Sequence, residues 1–517
     1  MPLGVQALLP FLALLIAAAA AAARPRRSGN GWVAVGGTGI AAVTTLIELL
    51  RLSPGERVDV PYLTTFPYAD LAVHLDALSL AFATMTLATA ALLMLARLRT
   101  PGDRRDPWVS WLLTSVAVLA VILAQSLLLI YILLQVLTLA WSGTLDEAAP
   151  RRRRLRLLIV VADVGLLLVA AGAIQSVGTS GFSGVPSDTF GPAALLLALI
   201  PVLTRLGALA WASGARMTLV AFEPAVAWAA PAAYLLTRLL ALTGGRLPGR
   251  PLEIVIFSSG LLIATAAALT TLVLRPYPGP PVMLLAAQSG LALALGTSSS
   301  PLLVLASLWI WLQLIPLAGL CSVRLAPGSP AAAATVFSLS MLPGSAAFIS
   351  VFIGTVGLWS GGKLLALLLT GIVVALSAAA ALSRLQPVKR TELDVRAGWA
   401  AALLLFGAFP IAVLGPLALP AAQTVRALPG GTVLLSPLGF TVSGAPWPAL
   451  LATLTVVAAM ALIFRRSRIS FPPPPRIRVP ALPRPVLPAV PAFSLRWATR
   501  ALWSAFVAII LFAVLRP

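Results

Sequence analysis

Phe337-Ser-Leu-Ser-Met-Leu-Pro-Gly-Ser-Ala-Ala-Phe-Ile-Ser-Val-Phe352 sets the reading of the whole chain. It lies inside an apolar run from Ala331 to Trp359, yet Pro343-Gly344 removes an amide donor and adds a flexible link where a membrane helix needs unbroken hydrogen bonding. An unpaired amide in hydrocarbon costs several kcal/mol, so irregular backbone at membrane depth survives only when it is buried in protein or lines a wet cavity. Broken helices of this kind carry the ion sites of many transporters. Pro343, Gly344 and Ser350 are therefore candidates for an ion path.

The rest of the composition supports a membrane setting for this break. Of the 517 residues, 60% are hydrophobic and only 10% charged, with a mean hydropathy of +1.00, against about 25% charged in soluble domains. Apolar runs long enough to cross a hydrocarbon core as helices recur throughout, which predicts an all-α, polytopic membrane helical bundle of about 14–16 transmembrane helices, some of them broken. One cysteine, Cys321, excludes a disulfide framework, and one histidine, His74, leaves no histidine cluster for a metal or haem. No cofactor and no metal is expected. The net charge of +21 would suggest nucleic acid in a soluble protein. Here the arginines gather in short loops between apolar runs, the positive-inside pattern, so the expected surroundings are a lipid bilayer and no nucleic acid.

In order, Leu3–Ala23 reads as a first span, and Arg24-Pro-Arg-Arg27 after it argues against a removed signal peptide. Trp32–Leu50 returns, Arg51–Asp76 reads as an outer loop, and Asp76 caps the next helix. His74 beside that cap reads as a surface residue. Trp108–Trp141 is too long for one crossing and divides at Gln125-Ser126. Spans follow at Leu157–Ile174, Gly191–Trp211, Pro224–Ala241, Ile254–Leu274, Val282–Leu295 and Leu302–Ser322, with Glu223-Pro224 as a helix start. Beyond Ala331–Trp359 come Leu364–Ser383, Trp399–Leu419 and Trp447–Phe464. The expected domains are a transmembrane bundle over residues 1–464, a proline- and arginine-rich tether over 465–500, and a C-terminal transmembrane helix over 501–517. The arginines at 24–27, 97–105 and 151–156 put those loops inside and the N-terminus outside.

Several stretches, in this order, resemble the antiporter-like membrane subunits shared by respiratory complex I, multi-subunit cation/proton antiporters and related membrane hydrogenases. Val73-His-Leu-Asp-Ala-Leu-Ser79 resembles the start of that family's third helix, and Leu127-Leu-Leu-Ile-Tyr-Ile-Leu-Leu-Gln-Val136 its fifth. Ala162-Asp-Val-Gly-Leu-Leu-Leu168 resembles its sixth, Tyr234-Leu-Leu-Thr-Arg238 the end of its eighth, and Phe337–Phe352 its twelfth. The likeness is greatest to the largest antiporter-like subunit of NADH:quinone oxidoreductase. It implies a proton or cation translocation module in the cell's inner (plasma) membrane, partnered by other membrane subunits of such an assembly. Whether the chain belongs to an enzyme is left open by the sequence, and the resemblance implies a non-catalytic subunit of one. A stand-alone membrane carrier, a lipid flippase and a purely structural scaffold are the alternatives.

Departures from the family fall on its proton-carrying positions. Gln135 stands where the fifth helix has glutamate and Val351 where the twelfth has lysine. Arg205 is the nearest substitute for the lysine of the seventh, and Leu302–Gly319 has no ionisable side chain. A relay of glutamate and lysine cannot run through glutamine, valine and an always-charged arginine, so the relay is expected to be altered or lost. Gln135 can be a non-titrating remnant or a simple interhelical hydrogen bond. Asp163, an acid inside a span, is a functional candidate by default, with an ion pair to the Arg151–Arg156 group as the structural alternative. Arg205, too deep to snorkel, should face a wet cavity or an acid such as Asp163 or Glu223. Cys321 reads as packing, and Trp108, Trp111, Trp309 and Trp311 as interface belt or core.

Overall fold

A computed structural model describes residues 3–464, apart from 24–28, 54, 64–70, 99–106, 143–149, 213–221, 274–282, 298–299, 324, 326–327, 386–394 and 437–438. The expected tether and final helix, 465–517, lie outside the described residues. Eight of the described helices are long and apolar enough to cross a membrane, one further pair qualifies if taken together, and the remaining apolar helices are 10–17 residues long. The architecture is the all-α polytopic bundle that the apolar runs require.

The first helices are α1 (Leu3–Ala23), α2 (Asn30–Arg51) and α3 (Ala77–Leu98). Between α2 and α3 the chain forms an antiparallel hairpin of β1 (Arg57–Leu63) and β2 (Leu71–Asp76). The long run from Trp108 divides into α4 (Trp108–Ile122) and α5 (Leu127–Ser142), as its length demanded. Next come α6 (Pro150–Val177), α7 (Pro192–Ala212), and α8 (Ala230–Leu242), which is preceded by a π-helical turn at Pro224–Ala229. Then follow α9 (Arg250–Val273), α10 (Met283–Gly296) and α11 (Pro301–Cys321). The run opened by Ala331 is broken into α12 (Pro330–Leu339) and α13 (Ala346–Ser360), and α14 (Leu364–Leu382) and α15 (Val395–Ala408) come after it. The innermost element is α11, fully buried along its span, with Trp309 and Trp311 as core side chains.

One expected span needs correction. Trp399–Leu419 is not a single crossing: α15 stops at Ala408 and the chain resumes at Ile411–Val425, bent by 100°. Pro410 has no amide to continue the ladder, and the resumed helix is π-wound over Leu414–Ala418. This second break touches the first. A Cβ on Gly407 would come within 2.1 Å of the Gly344 carbonyl oxygen, and one on Gly344 would lie 2.6 Å from Val456 of the last described helix, Ala449–Phe464. Only glycine lets three backbones meet this closely.

The hairpin marks one end of the bundle. The His74 amide donates to the Leu123 carbonyl at 2.8 Å in the α4–α5 turn, and the Leu127 amide donates to the Ser180 carbonyl at 3.1 Å in the loop between α6 and α7. The connection at 243–249 follows α8 at this end, where Arg426 reaches the Gly245 carbonyl.

Candidate functional site

The break in the twelfth helix is built from left-handed backbone. Met341 has φ 58° and Gly344 φ 88°, so the helical ladder is interrupted between α12 and α13. Ser329 caps the start of α12, its hydroxyl accepting from the Ala332 amide at 3.1 Å. At the far end the Leu339 carbonyl accepts from Gln288 Nε2 of α10 at 3.5 Å, and the Ala346 carbonyl from Trp309 Nε1 of α11 at 2.7 Å. Each stump is thus held by a neighbouring helix. Gln313 lies one turn from Trp309 on the same face of α11. The amide of Gln313, Gln288 Oε1 and the hydroxyls of Ser345 and Ser350 are buried with no hydrogen-bond partner among the described residues. Polar atoms left so cost about 1–3 kcal/mol each unless water bonds them. Val351, where the family has lysine, is half-buried.

A second group lies in the middle of α5, α6 and α7. Gly165 allows it to form: a Cβ there would meet the Leu197 carbonyl oxygen at 2.4 Å, so α6 and α7 touch backbone to backbone. That carbonyl is the one whose ladder partner would be the amide that Pro201 lacks. Across this contact Arg205 grips Asp163 with both ends of its guanidinium, Nη1 to Oδ1 at 2.5 Å and Nη2 to Oδ2 at 2.9 Å. Gln135 Nε2 adds a bond to Asp163 Oδ2 at 3.2 Å, and Arg205 Nη1 also reaches the Pro201 carbonyl at 3.3 Å. Asp163 is fully buried and Arg205 is 2% exposed. Of the partners the sequence offered for Arg205 and Asp163, the fold selects each for the other. The Asp163 carboxylate accepts three donors, two from Arg205 and one from Gln135.

The sequence candidates therefore fall into two groups. Gln135, Asp163 and Arg205 are joined by hydrogen bonds, whereas Pro343, Gly344 and Ser350 share only a stretch of chain; α10 packs against both α7 and α12.

A third group was not legible as a site. His74 is not a surface residue: it is 2% exposed, because it faces Asp59 across the hairpin and its strand is seated on the α4–α5 turn. Its Nδ1 lies 2.6 Å from Asp59 Oδ1 and its Nε2 3.0 Å from Asp76 Oδ2. Asp76 is the helix cap that the sequence indicated, Oδ1 accepting from the Ser79 amide at 2.7 Å. It is also gripped by Arg238 of α8, Nη1 to Oδ2 at 2.6 Å and Nη2 to Oδ1 at 2.9 Å. The Phe182 ring meets His74 edge-on at 5.4 Å and lies 4.9 Å beneath the Arg238 guanidinium. Burial works against the His74 charge, but bonds to Asp59 and Asp76 outweigh it and raise its pKa above the ordinary value. The His74 bond lowers the pKa of Asp59. Burial opposes the charge on Asp76 as well, yet Arg238 and His74 hold its carboxyl well below the usual range. The signal available in the sequence was the i, i+2 spacing of His74 and Asp76, which puts both on one face of a strand.

The remaining candidates are minor. Pro224 opens its helix directly after Glu223, as expected. Cys321 ends α11 and is partly exposed. Among the described residues no group of three or more histidine, cysteine or acidic side chains is arranged to hold a metal ion.

Comparison with solved structures finds this same helical arrangement in chains of three other complexes. A chain of the Mrp complex from Dietzia sp. DQ12-45-1b aligns over 98% of this chain with a TM-score of 0.68 and 17% identity. The chain shares their fold. It spans 60% of the length of that Mrp chain. A chain of the membrane-bound sulfane sulfur reductase, an archaeal respiratory membrane complex, aligns over 98% of this chain and 96% of its own length, with a TM-score of 0.67 and 16% identity. A chain of respiratory complex I from Thermus thermophilus with bound NADH aligns over 82% of this chain and 100% of its own, with a TM-score of 0.62 and 18% identity. No family model and no curated protein matches the sequence. The resemblance to antiporter-like subunits read from the sequence thus holds at the level of fold.

Proposed function

We propose that the chain is a membrane subunit of a complex-I-related or multi-subunit antiporter assembly in which the mid-membrane proton relay is replaced by a fixed charge pair. The observation that carries this reading is the two-pronged bond of Arg205 to the fully buried Asp163, with Gln135 as the third member. A relay residue must exist in two protonation states near working pH. Neither an arginine paired to a carboxylate nor a glutamine does so.

The unpartnered polar atoms around Pro343-Gly344 support a remnant of a hydrated path at the break, with no titratable group beside it. The arginine-rich connections put the hairpin end of the bundle on the outer face and the N-terminus outside. Partners are other membrane subunits, and the plasma membrane is the location that fits the resemblance.

The test is isolation of the full chain by an affinity tag from its native membranes, followed by ion-flux measurement on the recovered assembly. Stoichiometric recovery of other membrane subunits, with flux unchanged by the paired neutral substitution Asp163→Asn with Arg205→Gln, is expected. Recovery of the chain alone, or loss of flux from an assembly that stays intact, would refute the reading.

A further inference from the structure

The Asp59–His74–Asp76 group carries an argument that needs only hydrogen counting. A carboxylate offers acceptors alone, and a neutral imidazole has one donor and one acceptor. Both ring nitrogens of His74 face carboxylate oxygens, at 2.6 and 3.0 Å, so two hydrogens are required where a neutral ring supplies one. The group therefore holds one proton more than a neutral imidazole and two carboxylates. Arg238 and the Ser79 amide fix Asp76 as the carboxylate, which leaves the additional proton between His74 and Asp59. With that proton the four charges of Asp59, His74, Asp76 and Arg238 balance. Without it, a ring lone pair faces a carboxylate in a buried setting.

We propose that Asp59, His74 and Asp76 form a proton-binding site at the hairpin end of the bundle, loaded through Asp59, whose proton clamps β1 to the strand that Asp76 ties to α8. Asp59 is the way in because its side chain is 27% exposed, against 2% for His74 and none for Asp76. The proton passes from water to the Asp59 carboxylate and on to His74 Nδ1, and leaves by the reverse route. The groups facing the site are Asp59 from β1, Asp76 from β2, and Arg238 and Tyr234 from α8. Gln125 of the α4–α5 turn and Ser183 of the loop after α6 bond to Asp59. Arg57 stands opposite Asp76 in the hairpin register with its side chain exposed. The clamp joins four elements, because the His74 amide bonds Leu123, the His74 ring meets Phe182, and Asp76 ties the hairpin to α8. This inference stands apart from the reading of the mid-membrane pair and survives its failure.

His74 is the only histidine of the chain, so one imidazole signal reports the site. The experiment is a pH titration of the full chain, labelled with nitrogen-15 histidine, in lipid nanodiscs. At pH 6.5, the ordinary midpoint of a histidine, the ring should be doubly protonated in more than half of the molecules. A ring half neutral at that pH would overturn the proposal. Asp59→Asn should move the midpoint down and speed hydrogen exchange at the His74 amide, and an unmoved midpoint would count equally against it. If that variant fails to accumulate, the wild-type titration still decides.

Discussion

Two buried aspartate–arginine pairs of nearly the same geometry occur in this bundle, and they do different things. Asp163 with Arg205 lies midway through the helices, and Asp76 with Arg238 lies under the β1–β2 hairpin. In both the guanidinium takes both carboxylate oxygens. The third residue makes the difference. Gln135 gives Asp163 one hydrogen bond and cannot change charge, whereas His74 gives Asp76 a bond from a ring that can gain and lose a proton. Of the two pairs, the one under the hairpin has the titratable neighbour.

The largest effect should come from unpairing the middle. Arg205→Leu leaves Asp163 with no exposure and no counter-charge, a loss of about 3–5 kcal/mol that should appear as a fall in membrane accumulation and thermal midpoint. Arg205→Leu with Asp163→Leu should recover most of that stability. Arg238→Leu should cost less than Arg205→Leu, since Asp76 keeps His74 and the Ser79 amide. Equal losses at the two sites would erase the distinction.

Next in size is the contact between the two breaks. Gly407→Ala puts a methyl 2.1 Å from the Gly344 carbonyl oxygen, and overpacking of this kind costs about 1–3 kcal/mol. Gly371→Ala, where a Cβ meets nothing within 4 Å, is the control and should leave the thermal midpoint unchanged or raised.

Smaller still is the pH response of the hairpin, read as hydrogen exchange of the His74 amide after correction for intrinsic rates. The folded pKa of His74 is raised, so its contribution is complete below the ordinary 6.5 and is lost as pH rises through the folded value. The folded pKa of Asp59 is lowered, so its contribution is complete above the ordinary 3.8 and is lost as pH falls through the folded value. Protection should therefore be greatest between 3.8 and 6.5 and fall on both sides. The smallest change is expected at the partly exposed pair of Lys363 with Glu253, where Lys363→Ala should shift stability by only about 0–1 kcal/mol.

Much of the site was legible because it offends against its surroundings. A proline-glycine step, an acid and an arginine inside apolar runs each stand out, and Asp163 was already one of two acids offered for Arg205. What the sequence left open was which acid pairs, since that depends on Gly165 bringing α6 and α7 together. The break after Ala408 was harder to see, because Pro410 sits in a run whose length fits one crossing and whose apolar character does not change across it. His74 was misjudged for the opposite reason. Short strands in a mixed-charge connection carry little periodicity, and their burial comes from a turn and a helix distant in sequence.

The most direct check on the contrast between the two pairs is infrared pH-difference spectroscopy of the full chain in membranes, from about pH 5 to about pH 9. Wild type and Asp163→Asn should give superimposable spectra in the region of the protonated carboxyl group, as the proposed fixed pair requires. A protonated carboxyl band in wild type that disappears in Asp163→Asn would show that the middle pair takes up protons, contrary to a fixed charge pair at Asp163 and Arg205.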